Sequence, residues 1–206
     1  MAVALGVAVL AVIFVANNRT VNDPHHPSAA SGLHGTSAQY PYQVGTPGPG
    51  EPAPPLHLTA TDGTVADLAA WRGQGVLLFF QEGIACEPCW TQIKDMEAQL
   101  APFQALGVDK IVSITSDPLG ALKRKVSDEG ITTPVLSDPS LAVSRTYQAN
   151  LYGMMGTSTD GHSFILVGKD GVVKWRADYG GAPKYNMYIP IQTLLADMRQ
   201  GLGLSG

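Results

Sequence analysis

Val76-Leu77-Leu78-Phe79-Phe80-Gln81-Glu82-Gly83-Ile84-Ala85-Cys86-Glu87-Pro88-Cys89-Trp90 is the stretch whose reading decides the fold. Val76 to Phe80 is an unbroken apolar run. A half-exposed strand would alternate, so an unbroken run reads as a strand buried on both faces. From Glu87 the period changes. Trp90, Ile93, Met96 and Leu100 recur at helical spacing. They predict a helix from Glu87 to about Leu106, bent or ended by Pro102. The chain's two cysteines fall at the junction, where strand gives way to helix.

Working outward, Leu56–Thr61 reads as a short strand and Asp62-Gly63 as a turn. Val65–Trp71 reads as a short helical segment leading to Arg72-Gly73. Lys110–Thr115 is a second buried strand, through Ile111, Val112 and Ile114. Pro118–Glu129 is a helix with Pro118 near its first position and Gly130 beyond its end. Pro134-Val135-Leu136 is extended, and Asp138–Tyr147 begins a further helix. Ser163–Gly168 and Val172–Asp178 flank Lys169-Asp170-Gly171, a hairpin signal. Ile189–Gly201 closes with a helix carrying Leu194, Leu195 and Met198. Buried strands alternating with helices imply an α/β fold, with a central mixed β-sheet and helices on both faces. The late hairpin makes part of that sheet antiparallel.

The chain has 206 residues, 45% apolar and only 15% charged. An average soluble domain carries about 25% charge. With 23 Gly and 15 Pro, part of the chain is expected to be neither packed helix nor packed strand. The net charge of −4 argues against nucleic acid as a partner, because phosphate binding leaves a basic patch. Residues 1–16 pass without a charge, and then Asn17, Asn18 and Arg19 end the run. They are expected to form a membrane anchor or export signal, although no Lys or Arg precedes them. Residues 17–54 hold Pro24, Pro27, Pro41, Pro47, Pro49, Pro52 and Pro54 among Gly, Ser and Thr. They read as an extended linker between membrane and domain. His25, His26 and His34 lie in it; a solvated linker explains them better than a metal-binding tract. Residues 55–203 are the expected folded domain.

Cys86-Glu87-Pro88-Cys89 carries the chemistry. At a helix start the unpaired N–H groups and the macrodipole favour an anion. A Cys86 thiolate would be stabilised there and made reactive. Cys89 lies about one turn inside, close enough to close a disulfide. Pro88 suits the first turn, where a missing N–H costs nothing. Such a pair can attack a disulfide, pass through a mixed disulfide and resolve it. A purely structural bridge would close too small a loop to stabilise much. A structural zinc site would need a second pair of ligands, and no further cysteine exists.

These residues, with Phe79-Phe80 and the late hairpin, resemble the thioredoxin-like superfamily. More narrowly they resemble its redoxin branch, the AhpC/TSA-type peroxiredoxins and the membrane-tethered TlpA/ResA-like thiol–disulfide oxidoreductases. Pro52-Ala53-Pro54-Pro55-Leu56, Thr61-Asp62-Gly63 and Thr133-Pro134-Val135-Leu136-Ser137-Asp138 are similar to segments of those domains. The resemblance implies a thioredoxin-like fold and an oxidoreductase acting on thiols and disulfides. It also implies a redox-active Cys86–Cys89 disulfide in place of any cofactor. Antioxidant peroxide reduction is within its reach. Where a peroxiredoxin carries Pro and Thr before its peroxidatic cysteine, this chain has Phe79 and Gly83. Gly161 and His162 stand where such a protein has an arginine. Thioredoxins place a cis-proline before the late strand, and here Asp160-Gly161-His162-Ser163 takes its place.

Gly161-His162-Ser163 also resembles the Sco-type copper proteins, which share the fold. That likeness implies a Cu(I) alternative with Cys86, Cys89 and His162 as ligands, since thiolates and imidazole suit Cu(I). The Sco spacing has three residues between its cysteines, against two here. Met154 and Met155 are candidate thioether ligands, or packing filler. Otherwise His162 is a proton shuttle or tuning group beside the thiols, or a turn residue. Glu82 and Glu87 are candidate proton acceptors. Trp90 either shields the disulfide or anchors the core. The expected function is a membrane-tethered, extracytoplasmic thiol–disulfide oxidoreductase. Its partners would be protein thiols or disulfides, or peroxide, with an upstream thiol donor or acceptor that the sequence does not name. A binding module that kept the fold without the chemistry is the remaining class.

Overall fold

The structure is a computed structural model that describes residues 32–204. The expected anchor (1–16) and the linker as far as 31, with His25 and His26, lie outside the described residues. No helix among the described residues is long and apolar enough to cross a membrane.

The chain runs β1 (His57–Ala60), β2 (Val65–Asp67), β3 (Val76–Phe80), α1 (Glu87–Glu97), α2 (Leu100–Gln104), β4 (Lys110–Thr115), α3 (Leu119–Glu129), β5 (Val135–Ser137), α4 (Ala142–Thr146), β6 (Ser163–Val167), β7 (Val173–Asp178) and α5 (Ile191–Gly201). One seven-stranded sheet has the order β2-β1-β5-β4-β3-β6-β7. β3, β4 and β5 are parallel, while β6 runs antiparallel to β3 and β7 to β6. This is the mixed α/β sheet expected. β3 is buried along its whole length, and its side chains divide by the pleat. Leu77 and Phe79 enter one core with Cys89, Trp90 and Ile93 of α1, Phe103 of α2, Leu122 of α3 and Leu194 of α5. Val76, Leu78 and Phe80 enter the other with Leu56, Leu68, Tyr147 and Ala149. Helices crowd the first face; the second is closed by α4 with turns and coil.

Three local expectations are corrected. Val65–Asp67 is a strand paired with β1. Val65-Ala66-Asp67 alternates exposed and buried, a period of two rather than a helical one. The long helix after the cysteines is two helices, broken at Ala98 and Gln99. Pro102 has no N–H for the Ala98 carbonyl and its ring crowds that group, so the break falls one turn earlier than the proline. Asp138–Tyr147 is helical only over Ala142–Thr146, because Asp138 turns its carboxylate on the amides of Ala142 (3.0 Å) and Ser144 (2.8 Å).

The Pro-rich stretch is also corrected for the part described. From about residue 33 to 54 it is a strap packed along β7 and α5, not a free tether. Tyr42 is buried, with Tyr40 and Val44 against the same core. Its ring meets Trp175 and Tyr179 edge-on. His34 stacks on Tyr42 rather than serving as a ligand. Gln43 exchanges backbone bonds with Asp178 at 3.0 and 2.9 Å, and Thr36 N–H donates to Asp197. Tyr40-Pro41-Tyr42-Gln43-Val44 thus has the alternation of a strand, and the prolines hold it extended.

A buried ion pair fastens the strap. Arg176 Nε–H donates to Asp178 Oδ2 at 2.8 Å and Nη2–H to Oδ1 at 3.0 Å, with neither side chain exposed. Asp178 Oδ2 also accepts Gly45 N–H (2.7 Å), and Arg176 Nη1–H donates to the Pro47 carbonyl (3.2 Å). Removing one charge leaves the other buried and unpaired. We predict that Asp178→Asn lowers stability in urea by about 3–5 kcal/mol and exposes the strap to proteolysis. A loss under about 1 kcal/mol would mean the pair contributes no more than a surface bridge.

Candidate active site

The loop from Gln81 to Ala85 carries the chain from β3 to α1, and polar groups at the strand ends fix its shape. Gly83 has φ +99°. Its N–H donates to Gln81 Oε1 at 2.8 Å, and its carbonyl accepts Cys86 N–H (3.0 Å) and the Trp90 indole N–H (3.1 Å). Ile84 N–H donates to Asp117 Oδ2 at 2.7 Å, and Thr115 Oγ1–H donates to the same oxygen at 3.1 Å. A Cβ at Gly83 would stand 2.0 Å from Asp117 Oδ2 and 2.7 Å from Thr115 Oγ1. No side chain fits there.

Cys86 is the residue that opens α1, and Pro88 lies in its first turn as expected. Cys86 and Cys89 are joined in a disulfide with Cα atoms 5.4 Å apart. Cys86 is 6% exposed and Cys89 0%. An incoming group can reach Cys86 only. Trp90 is wholly buried in the core, and its indole N–H ties down the cysteine loop. It is therefore a core anchor that also shapes the site. Lys125 of α3 lies over the Trp90 ring, 5.4 Å from its centroid, and bonds Glu87 at 3.1 Å and Glu129 at 2.6 Å.

Of the three titratable candidates, the structure brings His162 to the sulfurs. Its Nδ1 is 3.7 Å from Cys89 Sγ. The ring is fully enclosed, edge-on to Phe79 and Phe164. Burial pulls its pKa down to about 3, so the imidazole is neutral. Glu87 instead turns its exposed carboxylate to Lys125. Glu82 is buried, and its Oε1 accepts the N–H groups of Met154 (2.5 Å) and Met155 (3.2 Å). Burial raises its pKa, and those two bonds partly offset the rise.

The segment before β6 has no cis-proline; the described cis bonds are Thr46-Pro47 and Ala182-Pro183. His162 N–H donates to the Tyr152 carbonyl at 2.9 Å, and its own carbonyl accepts Tyr179 N–H at 2.9 Å. The backbone at this point is thus satisfied within the fold. The copper arrangement is not supported. Met154 and Met155 are 61% and 51% exposed, and no cluster of three metal-ligating side chains occurs among the described residues.

Sequence reasoning missed the polar groups that hold this geometry: Gln81, Thr115, Asp117, Asp138, Ser144 and Asp160. The available signal was position. Gln81, Asp117 and Asp138 each follow the carboxyl end of a parallel strand, where α/β sheets place their sites. Asp138 and Asp160 share one hydroxyl: Ser144 Oγ is 2.7 Å from Asp138 Oδ2 and 3.0 Å from Asp160 Oδ2. One hydroxyl hydrogen serves one carboxylate. The Ser144 hydroxyl is within donating distance of either carboxylate.

The sequence pattern of the AhpC/TSA family matches residues 49–176. The chain belongs to that family. It is 32% identical over 130 residues to a putative peroxiredoxin of Mycobacterium tuberculosis, covering 61% of this chain and 81% of the relative. It is 26% identical over 126 residues to peroxiredoxin Bcp of Xanthomonas campestris, covering 59% and 78%. The crystal structure of peroxidoxin BcpB from Mycobacterium tuberculosis superposes with a TM-score of 0.61 at 18% identity, covering 74% of this chain and 97% of the other. That likeness shows the fold. As an AhpC/TSA-family member this chain is a thiol-dependent oxidoreductase of the thioredoxin-like superfamily.

Two outcomes follow from the geometry. Gly83→Ala forces a side chain against Asp117 at a positive φ, and is expected to cost about 2 kcal/mol or more and to slow every reaction of Cys86. Wild-type stability with wild-type reactivity would show that the loop yields freely. Burial holds the Asp160 carboxyl well above its ordinary 3.8. A raised folded-state pKa gives stability that is complete below 3.8 and is lost as pH rises through the folded value. Asp160→Asn should therefore gain on wild type in urea unfolding as pH rises from 3.8 to 7, and converge with it below. An unchanged gap across that window would mean Asp160 is ionised in the fold.

Proposed function

We propose that this family member works by disulfide exchange on protein or peptide substrates, with Cys86 as the attacking thiolate and Cys89 as the resolving thiol. The observation that carries this reading is the asymmetry of the pair: Cys86 at the helix start and reachable, Cys89 enclosed one turn inside. A thiolate at Cys86 gains from the open N–H groups of α1. The enclosed Cys89 is shielded from outside oxidants and reacts with Cys86 once a mixed disulfide has formed.

The second reading is peroxide reduction, favoured by the naming of the relatives as peroxiredoxins. Cys86 would be oxidised to a sulfenic acid and Cys89 would condense with it. Gly83, however, offers no side-chain donor beside the sulfur, and its N–H is already bonded to Gln81. We therefore expect disulfide exchange to dominate.

Equilibration of the folded domain in dithiothreitol or glutathione buffers should reveal one reversible dithiol–disulfide couple. A potential near about −270 mV makes it a reductant, and one near about −120 mV an oxidant. In stopped flow, reduced protein should react with glutathione disulfide or a disulfide peptide, and Cys89→Ser should trap the mixed disulfide at Cys86. Reaction with hydrogen peroxide at least tenfold faster than with either disulfide would overturn the assignment in favour of peroxidase chemistry.

We also propose that residues 1–16 tether the domain to a membrane, with the active site outside the cytoplasm. The support is the uncharged apolar run ended by Asn17, Asn18 and Arg19. A reductant placed there needs electrons delivered across the membrane. Full-length protein should sediment with membranes, and a membrane-impermeant thiol reagent should label Cys86 in intact cells after mild reduction. Recovery in the soluble cytoplasmic fraction would overturn this placement.

A further inference from the structure

Cys89 poses a chemical problem. To resolve a mixed disulfide it must lose its proton, yet it is sealed from water. Among the described residues, one hydrogen-bonding side chain lies beside its sulfur, the imidazole of His162, with Nδ1 at 3.7 Å. The other ring nitrogen, Nε2, is buried with no partner. A buried polar atom without a partner is uncommon and points to a role other than stability. A phenylalanine would satisfy the enclosure better, since Phe79 and Phe164 form its walls, with ring centroids 4.8 and 5.3 Å from that of His162.

We propose that His162 is the proton carrier for Cys89, taking the thiol proton at Nδ1 as Cys89 attacks and passing it to the departing thiolate. The inference rests on the disulfide-exchange reading above. The step balances. Cys89 Sγ forms a bond to Cys86 Sγ, and the bond between Cys86 Sγ and the substrate sulfur breaks. In this step the Cys89 sulfur is oxidised from thiol to disulfide level, the Cys86 sulfur stays at the disulfide level, and the substrate sulfur leaves reduced. The Cys89 proton moves to Nδ1 and then to the substrate, which departs as a thiol. The Nε2–H tautomer leaves Nδ1 free to accept.

The surroundings suit a transient carrier rather than a resting cation. Aromatic rings of β3 and β6 enclose the imidazole. The titratable groups on adjoining segments are engaged elsewhere: Glu82 with the amides of Met154 and Met155, Asp160 with Ser144, and Tyr179 with Asp197 at 2.6 Å. Burial is the cause of the lowered His162 basicity. An imidazolium formed there is unstable and returns its proton quickly. Burial also leaves the imidazole unprotonated at neutral pH, so the thiol proton is taken up only in concert with formation of the sulfur–sulfur bond.

The test mixes reduced protein with glutathione disulfide, quenches with acid and follows the Cys86–glutathione mixed disulfide by mass. In wild type the resolving step should change little from about pH 5 to 8, because its base is already deprotonated. In His162→Phe the first step should keep its rate. The mixed disulfide should accumulate and decay about 100-fold more slowly at pH 7, the usual scale of a lost general base. Its decay should then rise with pH. His162→Gln, which can accept a hydrogen bond but not carry a proton, should behave likewise and guards against misfolding of the first variant. Wild-type resolution that rises tenfold per pH unit, or variants that resolve at the wild-type rate, would overturn the inference. Equal slowing of both steps would make His162 structural only. A mixed disulfide that never forms at Cys86 in wild type would instead sink the disulfide-exchange reading itself.

Discussion

The antiparallel register of β3 against β6 is the constraint on which the rest of the structure depends. Phe79 stands opposite Phe164 and Phe80 opposite Ser163. The two phenylalanine rings stack at 4.5 Å with 7° between their planes. In a strand, side chains two apart share a face, so His162 projects on the same side as Phe164. That side carries α1 and its cysteines. A slip of one residue would send Phe164 and His162 to the opposite face and leave Cys89 without its neighbour. The pairing of two buried strands therefore brings together residues 73 apart in sequence.

Much of this was legible in the residues. The run Val76–Phe80 and the period after Glu87 gave strand, loop and helix in order. Cys86 and Cys89 fell where the macrodipole could act on them. What was not legible has specific causes. Tyr40, Tyr42 and Val44 alternate like a strand, but prolines punctuate the region and no local partner reveals where it docks. Its anchors, Arg176, Asp178 and Asp197, are supplied by distant segments. Val65–Asp67 is too short for periodicity to separate strand from helix; its pairing with β1 decides. Glu82 and Glu87 lie near the cysteines in sequence, but backbone amides and Lys125 respectively claim them.

The polar groups around the site show a division of labour. Asp117, Gln81 and the Trp90 indole hold the loop that aims Cys86. Asp138, Ser144 and Asp160 hold the segment that leads into His162. Gly161 lies so close to the Tyr152 carbonyl that a Cβ would come within 1.7 Å of it. Most of these contacts are local, while the Asp117 bond to Ile84 joins segments 33 residues apart. Pre-organisation of this kind keeps reacting groups aligned without further reorganisation.

Burial acts on the two titratable groups of that segment in opposite directions. It raises the carboxyl of Asp160 and lowers the imidazole of His162. The imidazole is neutral as a consequence. His162 therefore offers Cys89 no positive charge, and a free Cys89 thiolate would bear the penalty of a buried charge. In the proposed resolving step, proton removal and sulfur–sulfur bond formation would accordingly run together, because charge that passes into the new bond never resides on Cys89. In the same proposed reaction Cys86 faces the opposite situation: once reduced, its anion would be favoured by the helix start before any substrate arrives. Under the proposed disulfide exchange, the same helix would give its two cysteines different chemistry, one ionised in advance and one ionised only in the act of reacting.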